Sequence, residues 1–264
     1  GNEAAERFSF YGMRGILVVF MTQFMLNASG KPDHMQNEQA IAYFHQFVAA
    51  VYFFPLIGSI LSDVFWGKYK TILILSVVYC LGHLALAIDE TRVGLFIGLS
   101  LIAIGAGGIK PCVSAHVGDQ FGNKNHHLLS KVFGWFYLAI NLGAFVASIM
   151  IPKVLEYYGP HYAFGIPGIL MLLATILFWL GRNQFVHIPA SGWEKFRTET
   201  FGKEGLQALL NLSVLYYVFL PIFWSLFDQT GSSWVLQGVN MNQDLMTPWG
   251  NIKLGAAEVQ AFNP

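Results

Sequence analysis

The sequence predicts an all-α integral membrane fold: a six-helix N-terminal bundle, a polar linker, and the first helix of a second bundle. Only 11% of the 264 residues are charged and 55% are hydrophobic, where soluble domains carry roughly 25% charge. No Asp, Glu, Lys or Arg falls within 15–30, 39–62, 71–88, 93–109, 132–152, 157–181 or 205–227. With its flanks, each run reaches the ~20 residues that a helix needs to cross hydrocarbon, where a helix satisfies its own backbone. The long polar interval Arg182–Gly205 separates six of these runs from the seventh, which is the plan of large transporters built from two six-helix halves.

Apolar periodicity and breakers place spans at 3–27, 38–65, 70–88, 93–117, 129–151, 160–181 and 206–237. In domain terms, 1–181 is the bundle, 182–205 a cytoplasmic linker, 206–237 the seventh transmembrane helix and 238–264 an external connection to a further helix. Asn27–Gln39, Asp89–Arg92 and Glu156–His161 lie at one end, and Trp66–Tyr69, Gly118–Leu128 and the linker at the other. The second set carries Lys68, Lys70, Lys124, Lys131, Arg182, Lys195, Arg197 and Lys203. The first set and the tail carry Lys31, Arg92, Lys153 and Lys253, so the second set is cytoplasmic by the positive-inside rule. Trp193 and Phe196 are potential interfacial anchors in the linker, but the stretch is too short for an interfacial helix to be the favoured reading. The chain opens on Gly1-Asn2-Glu3 at the edge of a hydrophobic segment and reads as a fragment of a longer protein.

Several function classes are excluded. The formal net charge is zero and no basic stripe exists, so there is no nucleic-acid partner. Cys80 and Cys112 sit in apolar runs without a Cys-x-x-Cys or a histidine at ligand spacing, and read as reduced packing residues rather than metal ligands. No Ser-His-Asp set, zinc pair or phosphate loop is present, which argues against an enzyme, and no cofactor is expected.

Ionisable groups inside spans are costly unless they face a cavity or a partner, so they mark function. At 100° per residue, Glu3, Glu6, Arg7, Phe10 and Arg14 fall on about a third of the first helix's circumference, with Tyr11 beside them. That stripe must line a polar interior. Lys110 follows Gly105-Ala106-Gly107-Gly108, where helices can approach closely. Its ammonium needs a carboxylate, and Glu3 or Glu6 is the expected source. Asp228 ends a long neutral run in the seventh span, and Arg14 is its expected counter-charge, joining the two halves as a gate. His45 lies within the second span beside Tyr43, Phe44 and Gln46, and histidine is the side-chain type suited to carrying protons near neutral pH.

These residues fall into a pattern that resembles the proton-dependent oligopeptide transporters, a branch of the major facilitator superfamily. Glu3-Ala4-Ala5-Glu6-Arg7-Phe8-Ser9-Phe10-Tyr11-Gly12-Met13-Arg14 resembles that family's first-helix motif. Phe133-Gly134-Trp135-Phe136-Tyr137-Leu138-Ala139-Ile140-Asn141-Leu142-Gly143 is similar to its fifth-helix signature. Gly108-Ile109-Lys110-Pro111 with Gly118-Asp119-Gln120-Phe121 resembles its fourth-helix lysine region. Phe223-Trp224-Ser225-Leu226-Phe227-Asp228-Gln229 resembles its seventh-helix motif, and Gly58 to Lys70 the superfamily's cytoplasmic loop.

The resemblance implies a multi-pass transporter of twelve or more helices, acting as a monomer in a plasma membrane, a bacterial inner membrane being favoured. It implies import of di- and tripeptides with protons. Glu3, Glu6 and Arg7 would form the proton-coupling cluster, together with the His45 and Asp228 site. Lys110 would bind the peptide carboxylate, or pair with Glu6 when empty. Arg14 and Asp228 would form the external gate, with Arg14, Tyr11, Tyr52, Asn141 and Trp224 at the peptide cavity. Two positions depart from the family pattern: Phe10 stands where many members have Tyr, and Cys112 where many have Asn. The alternative is proton-coupled transport of nitrate or another small anion, since Arg7, Arg14 and Lys110 together could hold one.

Overall fold

The structure, a computed structural model, describes residues 2–247 and 250–262. Part of the predicted external connection, Pro248–Trp249 and Asn263–Pro264, lies outside the described residues. The chain folds into α1 (Asn2–Gln23), α2 (Asn37–Ile60, prolonged by a π turn to Trp66), α3 (Lys68–Ile88), α4 (Arg92–Gly118), α5 (Leu129–Tyr158) and α6 (Pro160–Leu180). Then follow α7 (Trp193–Phe201), α8 (Lys203–Val214), α9 (Leu220–Phe227) and α10 (Ser233–Val239). A hairpin of β1 (Asp244–Thr247) and β2 (Gly250–Lys253) and a 3₁₀ turn (Glu258–Phe262) end the described chain.

Among the described residues six helical segments are long and apolar enough to cross a membrane: Asn37–Trp66, Lys68–Ile88, Arg92–Gly118, His126–Tyr158, Pro160–Asn183 and Lys203–Val239. The 22-residue α1 has their length but carries Glu3, Glu6, Arg7 and Arg14. It is shielded instead by its neighbours: Met13, Ile16, Leu17, Phe20 and Met21 are wholly buried against α2, α5 and α6. A charged stripe is tolerated in a membrane only in such an enclosed position. α1, α2, α4, α3 and α6 close a ring, with α5 laid against α1 and α6.

Small residues set the crossings. A side chain at Gly58 of α2 would fall on the backbone of Gly108 in α4, and one at Gly143 of α5 on the carbonyl of Ala4 in α1. A Cβ on Gly107 would lie 2.8 Å from the Val51 carbonyl, and one on Gly105 2.7 Å from the Tyr79 nitrogen. The Gly105–Gly108 run therefore does bring backbones together, as close helix packing in lipid requires. Cys112 belongs to the same crossing, with its thiol 3.7 Å from the carbonyls of Gly58 and Gly108. Pro111 lies inside a continuous α4.

Loop contacts join the helix ends in two groups. At one end Arg92 donates two hydrogen bonds to the Asp33 carboxylate, at 2.7 and 3.0 Å, and Lys253 meets Glu156 at 3.2 Å. At the other, Lys68 pairs with Asp119 at 2.7 Å, Gln120 exchanges hydrogen bonds with the backbone of Val186, and Ser191 is bonded to the Asp63 carbonyl. Gly67 makes the α2–α3 turn at φ +76°, which only glycine adopts readily.

The hydrogen bonds from Arg92 hold the Asp33 carboxyl below the usual carboxylate range. Its tether is therefore fully present above the ordinary value and is lost as pH falls through the lower, folded value. The protection factors of amides in residues 24–36, with the intrinsic pH dependence of exchange divided out, are expected to be constant from neutral pH to about pH 4 and to fall below it. Protection that falls already near pH 6 would contradict this.

Three segments differ from the sequence reading. The linker contains a nine-residue helix, α7, because Gly192 and Gly202 break the chain on either side and leave Trp193–Phe201 free to wind. The predicted seventh helix is not uniform: it has a π stretch at Leu215–Phe219 and tightens into a 3₁₀ turn at Asp228–Gly231 before α10. The segment predicted to be an external connection folds back as a hairpin and loop, in which Ala256 and Ala257 pack against Val235 and Val19.

Candidate functional site

The first-helix stripe forms a closed charge cluster. Arg7 Nε donates to Glu3 Oε1 at 2.8 Å and lies 3.0 Å from Glu6 Oε2, and all three side chains are at most 12% exposed. Three- and four-residue spacings stack these groups along one helix face, so the guanidinium sits between both carboxylates. Ser9 packs the opposite wall by donating to the Pro167 carbonyl at 2.7 Å.

Lys110 does not meet the partner expected for it. Its ammonium lies 5.1 Å over the Tyr52 ring and 6.0 Å from the Phe10 ring, and no carboxylate is within ion-pair distance of it among the described residues. The reason is local: Arg7, on the same helix as Glu3 and Glu6, engages both acids. Two aromatic faces stabilise the half-buried ammonium by their quadrupoles instead. Phe10 therefore has a place of its own, buried against Phe47 and edge-on to Tyr11 at 5.6 Å.

The seventh segment meets the bundle at three levels. Trp224 packs on Tyr52 with centroids 5.3 Å apart. Asp228 accepts a hydrogen bond from Arg14 at 2.5 Å, with both side chains at most 10% exposed. The Ser232 hydroxyl lies 3.0 Å from His45 Nε2 and donates to the Asp228 carbonyl at 3.4 Å. Residues 224, 228 and 232 are spaced by four, and through these three contacts they line one side of the seventh segment, facing α1 and α2. His45 and Tyr52, seven residues apart on the antiparallel α2, meet Ser232 and Trp224 respectively. Gly231 makes the approach possible: a Cβ there would be 2.6 Å from the Phe44 ring and 3.5 Å from Arg14 Nη2.

The sequence reading anticipates the Arg14–Asp228 pair and misses Ser232. The signal for Ser232 was its four-residue spacing from Asp228 within Thr230-Gly231-Ser232-Ser233, a turn cluster in a span. Among the described residues Asn141 makes no hydrogen bond to another predicted site residue; its amide donates to the Tyr137 carbonyl of its own helix at 2.9 Å. Among the described residues no group of His, Cys, Asp and Glu could hold a metal.

The sequence pattern of the POT family matches residues 69–203 and 193–264. This chain belongs to the POT family. It is 33% identical over 310 residues to human "Solute carrier family 15 member 2" and 35% identical over 308 residues to Drosophila melanogaster "Peptide transporter family 1". Each alignment takes in the whole chain but only 41% and 40% of the relative, so the chain spans about two fifths of the curated relatives it matches. Among solved structures it superposes on the POT family transporter PepTSo with TM-score 0.85 and 37% identity, covering all of this chain and 65% of the other. The fold is accordingly that of a multi-pass membrane transporter, and α1 to α6 with the seventh segment correspond to part of such a protein.

Proposed function

We propose that this POT family protein is a proton-coupled symporter that imports di- and tripeptides by alternating access, as a monomer in the plasma membrane, the inner membrane in a bacterium. The observation that carries the reading is the sorting of the cavity's cations. Arg7 is engaged by Glu3 and Glu6 and Arg14 by Asp228, while Lys110 rests on aromatic rings. A peptide carboxylate thus has one ammonium to meet, and meeting it draws Lys110 from Tyr52, whose other neighbour is Trp224 of the seventh segment.

Protonation of Glu3 or Glu6 loosens Arg7, and protonation at His45 or Asp228 loosens the contacts of the seventh segment. Each event changes the cost of one conformation relative to the other, which is how coupling free energy between proton and peptide arises. The proton is the coupling ion and no cofactor takes part. Tyr11, Tyr52 and Trp224 supply the apolar walls for peptide side chains. Nitrate transport is less well supported, because two of the three cations it would use already hold carboxylates.

The test is uptake of labelled dialanine into vesicles containing the full-length protein, with the outside acid. Uptake is expected to be saturable and displaced by unlabelled dialanine but not by nitrate. Displacement by nitrate with none by dialanine would overturn the peptide reading.

A further inference from the structure

α7 has a surface that the transport cycle described above does not use. Its polar linker is pinned to the cytoplasmic end of the bundle, where the Ser191 nitrogen and hydroxyl bond the Asp63 carbonyl at 2.7 and 3.0 Å. Two residues later the helix begins, and it packs against the π turn that ends α2, where Phe65 and Trp66 are exposed. At the end of α6, Trp179 is also exposed and Arg182 stacks over it at 4.1 Å. Such a ring of aromatics with a snorkelling cation marks the level at which a membrane ends. The chain re-enters the membrane at Lys203, so α7 is confined to that level from both sides.

At 100° per residue, Trp193, Phe196, Arg197, Thr200 and Phe201 share an arc of about 140°, with Lys195, Thr198 and Glu199 opposite. The rings associate along the arc, Trp193 to Phe196 at 5.6 Å and Phe196 to Phe201 at 6.5 Å, and Trp193 and Phe201 are each 56% exposed. The charges divide the same way. Lys195 and Glu199 pair on the far face at 3.7 Å, whereas Arg197, within the aromatic arc, has no carboxylate within ion-pair distance among the described residues.

We infer that α7 lies on the cytoplasmic leaflet with its aromatic arc in the headgroup layer, and that Arg197 binds the phosphate of an anionic phospholipid. Rings of this kind are stable at the boundary of lipid and water, and a guanidinium among them meets phosphate bidentately. Because α7 leads through Gly202 directly into α8, lipid held there also fixes where the seventh segment enters the membrane. The inference rests on the membrane fold alone and is independent of what the protein transports.

The test uses the full-length protein with Cys80 and Cys112 replaced by alanine, carrying a nitroxide label at Phe196→Cys or Lys195→Cys, in vesicles of phosphatidylcholine with or without phosphatidylglycerol. The label at 196 is expected to be relaxed several-fold more by oxygen than by a nickel chelate, and the label at 195 the reverse. Phosphatidylglycerol is expected to deepen position 196, and Arg197→Gln to abolish that difference. Equal relaxation at the two positions, or shielding of position 196 from both reagents by protein, would overturn the inference. So would a depth at 196 that is indifferent to phosphatidylglycerol.

Discussion

Asp228→Ala is expected to open the outer end of the protein. Asp228 is the counter-charge of Arg14, and both side chains are at most 10% exposed. Removing one partner of a buried ion pair leaves the other charge uncompensated, at a cost of about 3–5 kcal/mol. If the pair is the gate, that cost falls on the closed conformation, since an outward opening would return Arg14 to water. The ratio of closed to open protein should therefore fall by roughly 100-fold or more. Spin labels at Ser29 and Asn242, in two loops predicted to be external, would report this as a longer distance. The double variant Arg14→Leu with Asp228→Leu removes both charges and should close again, since apolar replacement of a buried pair is often neutral. An unchanged distance in Asp228→Ala would mean that the pair is not the gate.

The second large effect is expected from a single methyl group. Gly58→Ala places a Cβ on the Gly108 backbone, where α2 and α4 cross and where no flexible side chain can yield. Overpacking of this kind costs about 3 kcal/mol at the upper end of its range. The crossing also carries Lys110, two residues from Gly108, and Tyr52, so the variant should lose peptide binding along with thermal stability in detergent. Gly134→Ala is the control, since nothing lies within 4 Å of a Cβ there. Equal melting temperatures for the two variants would show that the crossing tolerates separation.

The elements legible in the sequence are those set by the membrane itself. Charge-free runs of membrane length locate the spans, and the Glu3, Glu6, Arg7 and Arg14 stripe announces an enclosed α1 because lipid cannot hold it. The Arg14–Asp228 pair follows from the same scarcity: few charges of opposite sign are available. What the sequence does not reveal depends on competition between partners. Lys110 loses Glu3 and Glu6 to Arg7 by proximity along one helix, a contest decided by three-dimensional distance. Ser232 lies four residues past Asp228 beyond a 3₁₀ turn at Asp228–Gly231, a stretch that apolar periodicity reads as plain helix without marking its polar contact. α7 is short and of mixed polarity, so its boundaries come from Gly192 and Gly202 rather than from its own pattern. The β1–β2 hairpin likewise lacks the alternation that marks a buried strand.

The central claim is that the Glu3–Glu6–Arg7 cluster couples proton movement to peptide movement. It is tested most directly by comparing the full-length protein with its Glu6→Gln variant in vesicles, with an inward proton gradient and labelled dialanine. The account predicts that Glu6→Gln loses accumulation above the external concentration, while exchange of dialanine across the membrane without a gradient persists in part. Uphill accumulation by Glu6→Gln equal to that of the unaltered protein would contradict it.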